Sequence, residues 1–312
     1  MIVVRSLNAV KYDAHTLISI GTFDGIHRGH QSIINELVNR SKEAGRRNVI
    51  VTFDPHPRVI VGKEPVGLLM TLEERLEFME KLGVNVVFII NFNKEFASLS
   101  AKEFIQSYIY DGIGVEEIIV GNDHMFGKDR LSGIKELKEM STKYGFNVIV
   151  VDPVFSHGQR ISSSKIRHML SIGDVENASD FLGRPYSLEG MVVEGDKRGF
   201  SLGFPTANIE PISEKKIIPA HGVYFVNVTV DDKIFYGMLN VGVRPTFKSD
   251  LKRIIEVHIF DFSDMLYNKK IRISFLHRLR NEMKFSTENE LINQLKKDKE
   301  NCILLMNEII KQ

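Results

Sequence analysis

The N-terminal half of the chain alternates short apolar runs with amphipathic segments. Between Thr16 and about Gly183 the runs are β-branched, unbroken by charge and bounded by polar or turn residues: LISIGTF, NVIVTFDP, NVVFIINF, EEIIVGN and FNVIVVDPVF. Such runs are typical of strands that are buried on both faces of a sheet. The segments between them have helical spacing, and one opens with Thr71 and Glu74 at capping-box spacing. Strict alternation of strand and helix predicts a doubly wound α/β domain with a parallel sheet.

After this half, strands follow one another with no helical pattern between them. Five β-rich segments are separated by turns: SLEGMVVEGD, GVYFVNVTV, KIFYGMLNVG, IIEVHIFDF and IRISFLHRL. Residues 231–233 lie where a tight hairpin turn would join two of these segments. The succession predicts a small antiparallel β-barrel. A terminal helix is expected over about 287–310, with Thr287 and Glu290 as a capping box and Cys302 on its packed face.

Length and composition fit this division into two domains. At about 150 residues per domain, 312 residues predict about two domains. We place the boundary near Gly183, which gives an α/β domain over 1–183 and a barrel domain over 184–312. A composition of 43% hydrophobic and 26% charged residues excludes a disordered or collagen-like chain.

Charge and cysteine content narrow the class of protein further. Lys and Arg number 41 against 40 Asp and Glu, which excludes a strongly basic nucleic-acid coat. No apolar run approaches the roughly 20 residues that span a bilayer, and the chain start lacks the features of a secretory signal. One cysteine excludes an intramolecular disulfide and a thiolate zinc cage. We therefore expect a cytoplasmic protein, a monomer or weak oligomer, without nucleic-acid or membrane partners.

Polar residues of the N-terminal half fall at the carboxyl ends of the expected strands, where open parallel sheets bind ligands. The first strand is followed by GTFDGIHRGH, in which His27 and His30 share one face at the start of a helix with its unpaired N–H groups. Gly21 and Gly29 allow a ligand to approach the backbone. This arrangement suits a polyphosphate whose negative charge rises during reaction. The alternative is a helix start whose histidines only cap or pack.

Three more turns on the same rim favour a nucleotide site. The second strand ends in FDPHPR and the fourth in VGNDHMFGK, and the fifth is followed by RISSSKIR. In the last motif serines can cap a helix while Arg160, Lys165 and Arg167 supply positive charge.

Other nucleotide and hydrolase motifs fail on spacing. No G-x-G-x-x-G follows the first strand, which argues against a nicotinamide dehydrogenase. The stretch from Gly121 to Lys128 has five residues between its glycines, and Asp129 stands where a P-loop has its Ser or Thr. The absence of G-x-S-x-G and H-E-x-x-H argues against a hydrolase elbow and a zinc protease.

GTFDGIHRGH, FDPHP and ISSSKIR resemble the motifs of the nucleotidyltransferase half of bacterial bifunctional riboflavin kinase/FAD synthetases. The resemblance implies a Rossmann-like domain in which His27 and His30 stabilise the phosphates of ATP while the FMN phosphate attacks the α-phosphorus. It implies Mg²⁺ on the leaving pyrophosphate. It also assigns ATP and phosphate contacts to Gly21, Phe23, Asp24, Gly29, Arg160, Ser163, Ser164 and Arg167, and flavin contacts to Asp54, His56 and Asp123. At Asp123-His124-Met125 the chain departs from the aromatic residue, often with an arginine, that is usual in the family.

The C-terminal half contains a second phosphate-handling pattern, VVEGDKRGFSLGFPTANI. Its glycines and cations predict a flexible basic loop that closes over phosphates: Gly195, Lys197, Arg198, Gly199 and Gly203. Thr206 and Asn208 offer two oxygens on one side of an extended segment, and such oxygens suit Mg²⁺. The alternative is a barrel corner in which Thr206 and Asn208 only form a turn.

A carboxylate stands on a later strand. In IIEVHIFDF, Glu256 and His258 alternate with apolar neighbours and therefore project to one face. If that face lines the barrel mouth, Glu256 could take a proton from a substrate hydroxyl as a general base. The alternative is a solvated pair on the surface.

GRPY, the glycine-rich loop, FPTAN, GVYFV, NVGVRPTF, EVH, DF and LRNEMKF occur in the order found in riboflavin kinases. The resemblance implies that Thr206 and Asn208 engage Mg²⁺ and ATP, and that Glu256 activates the 5′-hydroxyl of the ribityl chain. It assigns ATP contacts to Gly195, Lys197, Arg198 and Gly199, and flavin contacts to Asn240 and Arg280. Phe200 departs from the basic residue that is usual before Ser201.

These observations predict a bifunctional transferase. It phosphorylates riboflavin to FMN in the barrel and adenylylates FMN to FAD in the α/β domain, with ATP as co-substrate and Mg²⁺ as cofactor of both steps. One alternative is a monofunctional enzyme in which the change at 123–125 or at Phe200 has disabled one site. The other is a non-catalytic flavin sensor that uses the same pockets.

Overall fold

The computed structural model describes residues 1–62, 66–122, 133–195, 198–245 and 251–310. These fall into two compact units, Met1–Ser163 and Ser164–Gln312. The boundary near Gly183 stays a prediction. Asp123 and Lys197, two of the residues expected in the sites, lie outside the described residues. None of the described helices is long and apolar enough to cross a membrane.

The described part of the first unit contains a six-stranded sheet in which every neighbouring pair is parallel. Its order is β1-β4-β3-β2-β5-β6, formed by β1 (Ile2–Val4), β2 (Leu17–Ile20), β3 (Asn48–Asp54), β4 (Val86–Asn91), β5 (Glu117–Gly121) and β6 (Asn147–Val151). The doubly wound parallel sheet is confirmed. Strand β1 was not predicted, because three residues are too few to show a period.

Helices cover this sheet, and their bounds are α1 (Arg28–Glu43), α2 (Pro57–Val61), α3 (Leu72–Lys81), α4 (Lys94–Ala97), α5 (Ala101–Phe104), a π-helix (Ile105–Ile113) and α6 (Ile134–Tyr144). A 3₁₀ turn spans Leu7–Ala9, and a short hairpin pairs β7 (Phe155–Ser156) with β8 (Gln159–Arg160). The predicted capping box of α3 is present: Thr71 Oγ1 accepts from Glu74 N at 3.2 Å and Glu74 Oε2 accepts from Thr71 N at 2.8 Å.

Strands β2 to β5 are largely buried on both faces, as their unbroken apolar runs predict. The run that forms β6 is only partly buried, because β6 lies at an edge of the sheet. Leu17 and Ile50 belong to one hydrophobic cluster. Their chain neighbours Ile18 and Val49 belong to a second cluster. Side chains of a strand alternate between faces, so each face of the sheet has its own core.

Strand β2 marks the point where the chain reverses its winding. From β2 the sheet grows through β3 and β4 on one side and through β5 and β6 on the other. Loops at the carboxyl ends of β2 and β5 therefore leave in opposite directions and open a crevice between them. The predicted histidine turn follows β2 directly and lies at this crevice.

The second unit contains a closed antiparallel barrel of the order β10-β13-β12-β11-β14-β9. Its strands are β9 (Tyr186–Val193), β10 (Ala207–Pro211), β11 (Gly222–Val230), β12 (Lys233–Pro245), β13 (Leu251–Ile259) and β14 (Lys270–Arg280). The helices are α7 (Ser163–Ile172), whose first residue belongs to the first unit, α8 (Val175–Leu182), α9 (Arg198–Ser201) and α10 (Glu288–Ile310). The barrel with a terminal helix is confirmed.

The tight hairpin turn predicted near Asp231 in the barrel unit is also confirmed. Asp231 and Asp232 have φ of 46° and 64° and form a two-residue turn between the paired residues Val230 and Lys233. Aspartate tolerates this left-handed region better than most residues, which makes it a favourable hairpin residue.

The terminal helix begins as its capping pattern predicts, with one difference. Thr287 Oγ1 accepts from Glu290 N at 3.2 Å, but the Glu290 carboxylate accepts from Ser286 N rather than from Thr287 N. Cys302 is fully buried in the cluster that α10 forms with the barrel. Burial raises the pKa of its thiol to about 12, and Asp298 adds to the effect.

Candidate active sites

The turn between β2 and α1 brings the two predicted histidines together. His27 is the N-cap of α1, and its Nδ1 accepts a hydrogen bond from His30 N at 3.2 Å. The two rings stack with centroids 3.7 Å apart and planes at 15°, and Phe23 lies edge-on to His30. Because Nδ1 of His27 is an acceptor, the neutral ring carries its proton on Nε2. His27 therefore caps the helix through Nδ1, as the alternative interpretation supposes, and this hydrogen bond does not involve Nε2.

The conformation of this turn is tight. Phe23 and Ile26 have positive φ, 48° and 32°, which non-glycine residues rarely adopt. A Cβ at Gly21 would lie 3.1 Å from the Phe23 ring, and one at Gly29 would lie 3.3 Å from the His27 ring. The glycines therefore give the aromatic rings of the turn the space in which they pack.

Asp24 shapes the turn through its carboxylate. The side chain is 1% exposed, and its oxygens accept hydrogen bonds from Leu69 N and Met70 N at 3.1 to 3.2 Å. Its backbone carbonyl accepts from Ser163 Oγ at 2.9 Å. Two predicted site residues, Asp24 and Ser163, are thus in direct contact, and the carboxylate is directed to the backbone of residues 69 and 70.

Three other residues predicted to bind the phosphates of ATP lie close to Ser163 along the chain. Ser164 and Arg167 lie in the first turn and a half of α7, and Arg160 ends β8, just before this helix. The serines predicted the start of this helix, but the short hairpin before it was not predicted.

The end of β3 carries Asp54 and His56. Asp54 lies at the rim of the sheet and pairs with Arg5 at 3.5 Å, both side chains being exposed. His56 is the N-cap of α2, and its Nδ1 accepts from Arg58 N at 3.1 Å. The Asp54–Pro55 peptide bond is cis.

Arg75 joins the turn after β2 to the end of β3, and it belongs to none of the motifs identified in the sequence. Its Nη1 donates to the Thr22 carbonyl at 2.6 Å and to Thr52 Oγ1 at 3.1 Å, and its Nη2 donates to the Phe53 carbonyl at 3.4 Å. A signal was present: Arg75 occupies a position of the apolar face of α3, three residues after Leu72 and four before Met79.

In the barrel, three predicted residues form one row across neighbouring strands. Asn208 of β10 is paired with Glu256 of β13, and Glu256 is paired with Asn240 of β12. Directly opposed residues of antiparallel strands project to the same face, with Cβ atoms about 4.5–5.5 Å apart. A carboxylate therefore stands between two amides. We call Asn208, Glu256 and Asn240 the polar row.

The polar row lies on the outer face of the barrel, beside the terminal helix. Asn240 is also paired with Val223 of β11, and Val223 packs in the cluster that contains Cys302 of α10. The face that carries Glu256 is therefore flanked by α10. Strand alternation predicted a shared face, but the side of the barrel that it occupies depends on where α10 docks.

The glycine-rich loop runs directly against the predicted magnesium ligands. A Cβ at Gly195 would lie 1.9 Å from Asn208 Nδ2, and one at Gly199 would lie 3.1 Å from Thr206 Oγ1. Phe200, the departure from the family pattern, lies in the short helix α9 and is 79% exposed. The backbone at Gly195 and at Gly199 thus lies close to the side chains of Asn208 and Thr206, where only glycine leaves enough space.

His258 holds the segment that carries Thr206. Its Nδ1 is 2.8 Å from the Pro205 carbonyl, which accepts the hydrogen bond, and its ring lies edge-on to Phe204 at 5.4 Å. Burial lowers the pKa of His258, so the ring is favoured in its neutral form. His258 therefore acts on the conformation next to the site.

Arg280, a predicted flavin contact, forms an ion pair with a residue of the terminal helix. Its Nε and Nη2 donate to the carboxylate of Asp298 in α10 at 2.7 to 3.0 Å. The Asp298 side chain is 2% exposed. Arg280 thus fastens α10 to β14. Among the described residues no three His, Cys, Asp or Glu side chains converge on a possible metal position.

Comparison with known proteins covers both units. The FAD synthetase family model matches residues 9–165, and the riboflavin kinase family model matches residues 182–305. The bifunctional riboflavin kinase/FMN adenylyltransferase of Bacillus subtilis is 39% identical, over 93% of this chain and 92% of that protein. The protein of the same name from Haemophilus influenzae is 35% identical, over 98% of this chain and all of that one.

A crystal structure described as a macrolide-efflux protein from Streptococcus pneumoniae has the same fold, with a TM-score of 0.86 at 31% identity over 96% of this chain and 97% of that one. These matches extend over most of the chain, and the matched proteins are named for two activities, one for each unit. The chain therefore belongs to the family of bifunctional riboflavin kinase/FMN adenylyltransferases, and it forms FMN from riboflavin and FAD from FMN.

Proposed function

We propose that adenylyl transfer takes place at the turn between β2 and α1 and riboflavin phosphorylation at the polar row. The stacked pair of His27 and His30 at a helix N-terminus carries the first assignment. The carboxylate of Glu256 between two amides carries the second.

In the first reaction, an oxygen of the FMN phosphate attacks the α-phosphorus of ATP and pyrophosphate leaves. Negative charge grows on the α-phosphate oxygens and on the leaving group. The N-terminus of α1 and the two imidazoles stabilise that charge, because they present N–H groups and a positive dipole end in a fixed arrangement. No covalent enzyme intermediate is required, so rate comes from in-line positioning and charge stabilisation.

The remaining residues of this site are assigned by their motifs. Ser163, which contacts the turn through Asp24, begins a helix whose backbone N–H groups suit a phosphate. We assign contacts with the triphosphate to Arg160, Ser163, Ser164 and Arg167, and contacts with the flavin to Asp54, His56 and Asp123.

In the second reaction, Glu256 accepts the proton of the 5′-hydroxyl of riboflavin while that oxygen attacks the γ-phosphorus of ATP and ADP leaves. Asn208 and Asn240 flank the carboxylate and hold it and the hydroxyl in register. The loop from Gly195 to Gly199 covers the phosphates of ATP, with Lys197 and Arg198 as its cations. Asn240 contacts the flavin, and Arg280 supports that end of the site through α10.

Mg²⁺ fits the oxygen donors of Thr206 and Asn208. Hydroxyl and amide oxygens are ligands that this ion prefers, and the loop backbone lies so close to both side chains that a Cβ at Gly195 or Gly199 would fill the space. The ion would neutralise charge on the phosphates of ATP. We further propose a cytoplasmic enzyme, monomeric or weakly associating, with no nucleic-acid or membrane partner, which the near-neutral net charge supports.

Single-step assays test the proposal. The purified chain is given riboflavin and ATP, or FMN and ATP, with Mg²⁺ or with excess EDTA, and the flavins are separated by chromatography. We expect FMN and, from it, FAD in the first mixture, FAD in the second, and no product in EDTA. Full activity in EDTA would contradict the Mg²⁺ assignment. FMN production without any FAD from added FMN would favour the monofunctional alternative.

A further inference from the structure

Arg75 is a buried arginine at the edge of the proposed adenylyl-transfer site. Its side chain, on α3, is 4% exposed. Its guanidinium donates to the carbonyls of Thr22 and Phe53 and to the hydroxyl of Thr52, all of which are uncharged. Nε is also buried and has no hydrogen-bond partner among the described residues.

The charge of Arg75 is not neutralised by a contact. Within the described part of the chain no carboxylate lies at ion-pair distance from it, and Asp24, Asp54 and Glu73 act only from further away. The Asp24 carboxylate is directed to the backbone of residues 69 and 70 instead. Burial lowers the pKa of Arg75, as expected for a cation removed from water. Such a charge is costly, and a buried cation without a carboxylate partner therefore calls for a functional explanation.

The acceptors of Arg75 show what it can do. Thr22 lies inside the turn that leads from β2 to His27, and Phe53 directly precedes Asp54 at the end of β3. One rigid planar group therefore fixes the distance between the turn that carries the histidines and the end of β3 that carries Asp54. A guanidinium presents its donors in a fixed fork, which an ammonium group does not.

We propose that Arg75 is a positioning residue for adenylyl transfer, which holds the turn at Thr22 and the end of β3 at Phe53 in their productive arrangement and supplies a positive charge next to that turn. The inference rests on the proposed role of the turn that carries His27 and His30. It makes two demands on position 75, a fork of donors and a positive charge.

Kinetics of FMN adenylylation by Arg75→Lys and Arg75→Met separate these demands. We expect Arg75→Met to lose roughly 100-fold in kcat, comparable with the loss of one preorganised donor at a site of developing charge. Arg75→Lys keeps the charge and loses the fork, so we expect an intermediate loss of about 10-fold with a raised KM for ATP. Riboflavin phosphorylation, measured on the same preparations, should stay within about twofold, since the barrel unit carries it.

Arg47→Met is the matched control. Arg47 is a partly buried arginine of the first unit. It donates to Thr16 Oγ1 at 2.8 Å and to the Ile113 carbonyl at 3.0 Å, and it pairs with the Asp13 carboxylate at 3.8 Å. Thr16 directly precedes β2 and Arg47 directly precedes β3. Arg47 therefore lies at the amino ends of the strands, opposite the carboxyl ends where the proposed site lies. We expect Arg47→Met to lower the melting temperature and to leave the kinetics of FMN adenylylation unchanged below the melting range.

The outcomes separate this inference from the proposed site. Wild-type kcat in Arg75→Met would overturn the positioning role. Equal losses in Arg75→Met and Arg75→Lys would overturn the demand for a positive charge and leave the fork of donors as the requirement. If Arg75→Met does not fold, Arg75→Lys decides, and wild-type kinetics in that variant would overturn the role. His30→Ala tests the site itself: full adenylylation in His30→Ala would overturn the site, whereas loss in His30→Ala with no effect at Arg75 would overturn only this inference.

Discussion

Asn208 of β10 and Glu256 of β13 lie directly opposite each other in the barrel. Their side chains therefore share the outer face, where the amide stands beside the carboxylate. Gly195 packs against the same amide, so the start of the glycine-rich loop, the proposed metal ligand and the proposed base are neighbours. A change at any of the three positions is expected to be felt at the other two.

Gly195→Ala tests how tightly the loop closes on this contact. The new Cβ would lie 1.9 Å from Asn208 Nδ2, so the loop or the amide must move. We expect riboflavin phosphorylation to fall by about 100-fold, as for other displacements of about 1 Å at a reacting centre. FMN adenylylation by the same preparation should be unchanged. Gly203→Ala is the control, since a Cβ there meets nothing within 4 Å, although its φ of +78° adds some strain. Equal kinase losses in the two variants would show that loop flexibility, and not the contact with Asn208, is what matters.

Asp298→Ala tests the anchoring of α10. The Arg280 side chain is 17% exposed in the wild-type protein, and the substitution removes the buried carboxylate that it binds. We expect the free energy of unfolding to fall by about 3–5 kcal/mol, as is usual when one partner of a buried ion pair is removed. Urea unfolding of the full chain measures this. Lys269→Met, which breaks the exposed pair with Asp231, should cost less than about 1 kcal/mol. Similar losses in both variants would contradict the anchoring role.

The reactivity of Cys302 should be low until the barrel unit unfolds. Because its pKa is raised to about 12, almost none of the thiol is ionised at pH 8, and the thiolate is the reactive form. We expect iodoacetamide to label Cys302 only after urea is added, as followed by mass spectrometry. The protection should be complete below the ordinary thiol pKa and should weaken as the pH rises towards 12. Rapid labelling of the folded chain at pH 8 would contradict the burial of this residue.

Much of the fold is predictable from the sequence, because it depends on local periodicity. The unbroken apolar runs that became β2 to β6 identify a parallel sheet, and the polar pair Asp231-Asp232 identifies a hairpin. Strand β1 has three residues, too few for a period to reveal it, and β10 is predicted only as the extended segment that carries Thr206 and Asn208.

The candidate sites are predictable only in part. The position of His27 and His30 follows from one rule, that ligands bind beyond the carboxyl ends of parallel strands. The polar row depends on which residues of β10, β12 and β13 are in register, which the spacing along the chain does not contain. Arg75 and Asp298 act through backbone carbonyls or a docked helix, and these contacts exist only in the folded chain.

The most direct test of two separate sites is a pair of single-step assays on Glu256→Gln and His30→Ala. We expect Glu256→Gln to lose about 10²- to 10⁴-fold in riboflavin phosphorylation and to convert FMN to FAD at the wild-type rate. His30→Ala should show the reverse, a loss of about 10²- to 10³-fold in FAD formation with normal FMN production. Loss of both activities in either folded variant, or of neither, would contradict the assignment of one reaction to each unit.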